Sequence, residues 1–210
     1  MEFGIFVQTH LPGPQAHQPV AEHRALLDDL GLIVQADQSN WKYAWVSEHH
    51  CLTEYSHLSA SESFIPFALA RTNRIHVGSG IWPLNPVTNH PIRLAERAAM
   101  CDQLSEGRFE FGTGRGAGSW EVGTFNLTND VTKDRWNEVI VEFKEMWSSL
   151  DYSHDGTYFS NPGRNIHPSP MAAVGPIRPC GSPPATRPPM RRPPPWVSAP
   201  SVSTCRRSTT

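Results

Sequence analysis

Between residues 3 and 149 the chain alternates four times between a short apolar run and a segment with helical spacing. The strand candidates are residues 3–7, 43–47, 75–80 and 109–111. The first helix candidate, residues 20–37, places Leu26, Leu27, Leu30, Ile33 and Val34 at helical spacing, with Gly31 weakening it. The second follows Ser59-Ala60-Ser61-Glu62, a capping-box pattern ahead of Phe64-Ile65-Pro66-Phe67-Ala68-Leu69, where Pro66 predicts a kink or an early stop. The third opens at Asn89 or His90 before Pro91 and closes at Gly107, just past Leu104. The fourth runs from about Asp130 to Ser149 and carries Trp136, Val139, Ile140, Phe143, Met146 and Trp147 as one apolar stripe. Such alternation implies an α/β fold of parallel strands joined by right-handed crossovers. Half of an eight-fold barrel and a small doubly wound sheet both satisfy it.

Composition narrows the partners and divides the chain. A formal net charge of −2 over 210 residues offers no basic surface for nucleic acid or an anionic membrane. No apolar stretch approaches the roughly 20 residues of a membrane span. The N-terminus Met1-Glu2-Phe3-Gly4-Ile5-Phe6-Val7 reads as a first strand rather than a signal peptide. Cys51, Cys101, Cys180 and Cys205 show neither metal nor redox spacing, so reduced thiols in the cytoplasm are expected. Of the 20 prolines, 13 lie between Pro162 and Pro200, and no acidic residue follows Asp155. Residues 1–170 therefore read as the folded part, and residues 171–210 as a Pro/Arg/Ser-rich tail unable to build a core.

Two strand ends carry the chemistry. Ser47-Glu48-His49-His50 follows the apolar run Tyr43-Ala44-Trp45-Val46, and Gly112-Thr113-Gly114-Arg115-Gly116 follows Arg108-Phe109-Glu110-Phe111. Parallel α/β folds place their sites at the carboxyl ends of strands. An isolated histidine is usually structural, and a glycine-rich loop is usually a tight turn. Together they pair an acid–base group with small residues, backbone N–H groups and a guanidinium suited to a phosphate. A metal reading of Glu48-His49-His50 fails, because successive side chains of an extended segment point to opposite faces and no H-E-x-x-H helix is present.

These residues resemble the bacterial luciferase-like flavin-dependent monooxygenases over roughly residues 1–170. The resemblance runs through Glu48-His49-His50 with Thr53-Glu54, then Asn89-His90-Pro91-Ile92-Arg93, Ala95-Glu96, and Asp102-Gln103-Leu104-Ser105-Glu106-Gly107-Arg108-Phe109, and on into Gly112–Gly116. It implies a (β/α)8 TIM-type barrel of which about the first half, four βα units, is present. It also implies reduced FMN, supplied by a separate flavin reductase, which with O2 forms a C4a-hydroperoxide that oxidises a small organic substrate. The deazaflavin F420 in a related oxidoreductase is the alternative, and an inactive truncated fragment is another. By the same resemblance His49 is the catalytic histidine. Gly114, Arg115 and Gly116, with Arg135, hold the flavin phosphate, and no metal is needed. Asn85 and Ser79-Gly80 are expected to line the cavity, and Trp45 and Trp82 to pack in the core. The family further implies a homo- or heterodimer. Beyond Asn165-Ile166-His167-Pro168-Ser169-Pro170 the resemblance calls for a fifth strand that this sequence lacks, and the tail reads as a frame-shifted segment.

Overall fold

The computed structural model describes residues 2–116 and 118–171. Its centre is a parallel sheet of β1 (Gly4–Val7), β2 (Tyr43–Val46), β3 (His76–Ser79) and, beyond the two-residue β4 (Trp82–Pro83), β5 (Phe109–Glu110). The order across the sheet is β1-β2-β3-β5, all parallel. Sequential order is what a barrel requires, whereas a doubly wound sheet reverses direction from its first strand. The described residues form an open sheet, so the barrel-type order is present without closure.

Helices α1 (Ala21–Gln38), α2 (Ser61–Ala70) and α3 (Pro91–Leu104) connect these strands. The side chains of Ala44, Val46, Val77 and Phe109 are buried with Leu30, Ile33, Ile65, Leu94 and Ala98 in one core. On the alternate positions stand Phe6, Trp45, Gly78 and Glu110, in register across the sheet. Phe6 is 60% exposed, and the Trp45 ring lies where a Cβ on Gly78 would come within 2.6 Å of it. That is the face a closed barrel turns inward.

The sheet changes step just past β3. Val77 pairs with Phe109, but Trp82 pairs with Thr113 of β6 (Thr113–Gly114), so the β3–β4 path holds one residue more than the β5–β6 path. The Ser79 hydroxyl fills the gap, donating to Gly112 O at 2.7 Å and accepting from Gly112 N at 3.0 Å. Only glycine fits at 112, since a Cβ would stand 2.1 Å from Ser79 O. Ordinary β-bulges likewise put one unpaired residue into a strand and re-aim its neighbours.

Three local expectations are corrected. The Ser59/Glu62 capping box does not form: the residue before α2 is Ala60 and no side chain caps it. Pro66 sits inside α2 without ending it. The expected helix 130–149 is two helices, α5 (Asn129–Ile140) and α6 (Phe143–Ser148), preceded by the short α4 (Ser119–Thr124). The apolar stripe survives the break, because Val139, Phe143 and Met146 are buried and Trp136, Ile140 and Trp147 pack against them. The third helix starts at Pro91 with His90 before it, and Gly107 takes a φ of +80° beyond its end, as expected. An antiparallel hairpin, β7 (Tyr152–Asp155) with β8 (Ser160–Arg164), follows α6 and was not anticipated. The proposed tail, 171–210, lies outside the described residues except for Met171.

Candidate functional site

A cleft of about 350 Å³ opens at the carboxyl ends of the central strands. Such a volume falls in the range of small-molecule sites. Its apolar wall is Phe6, Ile81, Val122, Phe125 and Leu127, and its polar groups include Glu48, His49, His50, Asn85 and Arg115.

The β2 end is tied down before it reaches the cleft. Ser47 N donates to Val7 O, and His49 N to Leu58 O, both at 3.0 Å. The Glu48 side chain is only 5% exposed. It accepts from the Ser61 hydroxyl and lies 3.3 Å from His50 Nε2, while Ser61 in turn accepts from Trp82 Nε1 at 2.7 Å. Ser61, the first residue of α2, thus spends its hydroxyl on a buried carboxylate. The hydrogen bond to Glu48 raises the pKa of His50 above the ordinary histidine value. Burial opposes this, and the charges of Glu48, Glu121 and Glu62 add to it.

Of the residues singled out from the sequence, His49, Arg115 and Gly116 line this cleft together. Gly114 lies beneath it in β6, paired with Pro83, where a Cβ would stand 2.6 Å from Ile81. Arg115 donates to Asn129 O at 3.3 Å, next to the start of α5. Arg135 stands behind Asn85 and donates to its Oδ1 at 3.2 Å, with its guanidinium 5.3 Å from the centre of the Tyr158 ring. Asn85 lines the cleft as expected, and Trp82 is a core residue at 1% exposure.

Glu121 stands in no motif that marks it as a site residue. From α4 its Oε1 lies 3.1 Å from His49 Nδ1 and accepts the His50 backbone N–H at 2.9 Å. Seventy-two residues separate it from His49 in the chain, so no local pattern could have joined them. Among the described residues no cluster of three His, Cys, Asp or Glu side chains is arranged to hold a metal.

Asn85 bears on what the cleft accepts. It is 2% exposed, and its Oδ1 is used twice, by Val87 N and by Arg135. That fixes the amide orientation and leaves Nδ2 buried without a partner among the described residues. A buried donor of this kind calls for an acceptor oxygen. Flavins carry such oxygens on both the pyrimidine ring and the phosphate, so the residues present fit a flavin.

A family model described as luciferase-like monooxygenase matches residues 1–208. The chain belongs to the luciferase-like monooxygenase family. The match extends past the residue-170 limit of the motif resemblance. Among related proteins, the oxygenase component of the flavin-dependent trigonelline monooxygenase of Acinetobacter baylyi is 30% identical over 179 residues, which are 84% of this chain and 47% of that one. The solved monooxygenase RslO1 of Streptomyces bottropensis superposes with a TM-score of 0.71 at 26% identity, over 81% of this chain and 50% of that one. The oxygenating constituent of 3,6-diketocamphane monooxygenase from Pseudomonas putida, solved with FMN, gives 0.71 at 20% identity, covering 82% and 49%. The fold extends to F420 enzymes: an F420-dependent secondary alcohol dehydrogenase gives 0.64 at 18% identity, covering 81% and 50%. This luciferase-like chain spans about half the length of the relatives it matches.

Proposed function

We propose that the chain carries the flavin half-site of an FMN-dependent monooxygenase acting on a small organic substrate and O2. The observation that carries this reading is the convergence of His49, Arg115 and the unpartnered Asn85 amide on one cleft at the strand ends. Bound reduced flavin supplies the electrons for oxygen activation. The chain's own part is to hold it and to manage protons. Arg115, with the backbone at Gly114 and Gly116, presents a guanidinium and N–H donors to the phosphate, and Arg135 supports it from behind Asn85. His49 takes up and returns a proton in the cleft. Phe6, Ile81, Val122 and Phe125 limit water on the apolar side. A separate flavin reductase is part of the proposal, in keeping with a relative described as an oxygenase component. So is pairing with a second chain of the same kind, a property carried from the family.

The F420 reading is the alternative, supported by the fold shared with an F420-dependent dehydrogenase. Anaerobic titration of the folded protein with reduced FMN and with F420, followed by fluorescence, separates the two. Saturable binding of reduced FMN with O2 uptake on admitting air supports the monooxygenase reading. Binding of F420 alone transfers the proposal to hydride chemistry. Binding of neither to a folded sample rejects both and leaves an inactive fragment.

A further inference from the structure

We propose that Glu121 is a positioning residue for His49. It holds the imidazole in the tautomer with Nδ1 protonated and leaves Nε2 as the nitrogen that exchanges a proton with whatever occupies the cleft. This rests on the reading of His49 as the acid–base group.

The argument begins with a donor that cannot change role. The His50 backbone N–H points at Glu121 Oε1 from 2.9 Å, so that oxygen is an acceptor. His49 Nδ1 meets the same oxygen at 3.1 Å. A lone pair on Nδ1 would face a carboxylate lone pair there, whereas a proton on Nδ1 makes a charge-assisted hydrogen bond. The hydrogen-bond partner of one ring nitrogen thus selects the role of the other. Among the described residues nothing hydrogen-bonds Nε2, and His49 faces the cleft.

The carboxylate is placed with care for so short a helix. Trp120 Nε1 donates to Cys51 O at 3.0 Å, and Phe125, just past the end of α4, meets the His50 ring edge-on at 5.3 Å. These two contacts hold α4 against the segment that carries His49. Gly118 leaves the room that Glu121 Oε2 occupies, since a Cβ at 118 would stand 2.6 Å from it. The Tyr55 ring meets the imidazole edge-on at 5.3 Å between centroids. When an acid X–H in the cleft gives its proton to Nε2, the N–H bond forms and the electron pair of the broken bond stays on X. The resulting imidazolium keeps its Nδ1–H on Glu121, which is never itself protonated. The same division of labour operates in hydrolytic triads.

The test is the two-bond ¹H–¹⁵N correlation spectrum of the histidine side chains in the flavin-free full chain, at a pH where the His49 ring is neutral. His49→Gln assigns the resonances. The expected wild-type pattern is protonated Nδ1 and unprotonated Nε2. Glu121→Gln, whose amide oxygen still accepts both N–H donors, keeps that pattern, and Glu121→Ala moves His49 to the Nε2–H form preferred by a free neutral imidazole. A wild-type spectrum with the proton on Nε2, or an unchanged tautomer in a folded Glu121→Ala protein, overturns the proposal. The wild-type spectrum decides even if Glu121→Ala does not fold. Reduced-FMN titration of the wild type is read separately, so failure to bind flavin counts against the flavin reading and not against the tautomer.

Discussion

His49 carries the proton chemistry proposed for the cleft, with the Glu121 carboxylate 3.1 Å from its Nδ1. Replacing His49 by Ala is expected to lower turnover about 10²–10⁴-fold, the usual worth of a general acid–base group, while the melting temperature holds. Steady-state rates beside a thermal melt check this, and equal loss of both returns His49 to a structural role. The cysteines give an independent test. Burial raises the Cys101 thiol to about 11, with Arg97 only partly opposing it, whereas Cys51 is exposed. Iodoacetamide at pH 8 followed by peptide mass spectrometry is expected to label Cys51 in the folded protein and Cys101 only after denaturation. Prompt labelling of Cys101 would contradict the burial.

Strand and helix existence followed from periodicity, but what the polar residues do at element ends did not. Ser59 and Glu62 suggested a capping box, yet no side chain caps α2, and the neighbouring Ser61 hydroxyl goes to Glu48, whose buried carboxylate must be satisfied. The hairpin β7–β8 escaped notice because Ser153, His154, Asn161 and Gly163 lack strand character, and it is held from outside. The Glu138 carboxylate on α5 accepts the N–H groups of Thr157, Tyr158 and Phe159. Glu138→Ala is expected to speed amide exchange at 157–159 at least tenfold, with α1 amides unaffected, by hydrogen-exchange mass spectrometry. Asp37, 5% exposed at the end of α1, plays a similar part. Burial works against its charge, but the N–H groups of Ile75, Asn73 and Arg74 and the Arg74 guanidinium outweigh it and lower its pKa. A lowered carboxylate contributes stability above its unfolded pKa, which is lost as pH falls through the folded value. Asp37→Ala should therefore cost about 3 kcal/mol at pH 7, by leaving three donors unpaired. The penalty should shrink as the pH drops below about 4, the unfolded carboxyl value. Urea melts across that range decide it, and a penalty constant with pH would refute the charged role.

At the scale of the molecule, strand order was the property that sequence periodicity left open. It was decided by β1-β2-β3-β5 running parallel in sequence. As half of a barrel the sheet leaves its inward-facing side uncovered, although Phe6, Tyr43 and Trp45 on that side are residues of core type. Phe6 at 60% exposure instead forms open apolar surface beside the cleft. The dye ANS is expected to bind this face, and Phe6→Asp to reduce its fluorescence by about half without lowering the melting temperature. Unchanged fluorescence would place the dye elsewhere. No helix among the described residues is long and apolar enough to cross a membrane.

The Ser79 rung sets what kind of genetic change can rebuild the cleft wall. Side chains on a strand alternate faces, so one additional residue exchanges the two faces for everything downstream. Ile81 meets the cleft while Trp82 turns to the core because of that added residue. Point substitutions at 80 and 81 therefore change the size of what faces the ligand, and no substitution changes which positions face it. A single-codon deletion there would do so, swapping lining for core in one step. Diversity at this wall should accordingly be sought in gaps between aligned relatives as much as in their mismatches.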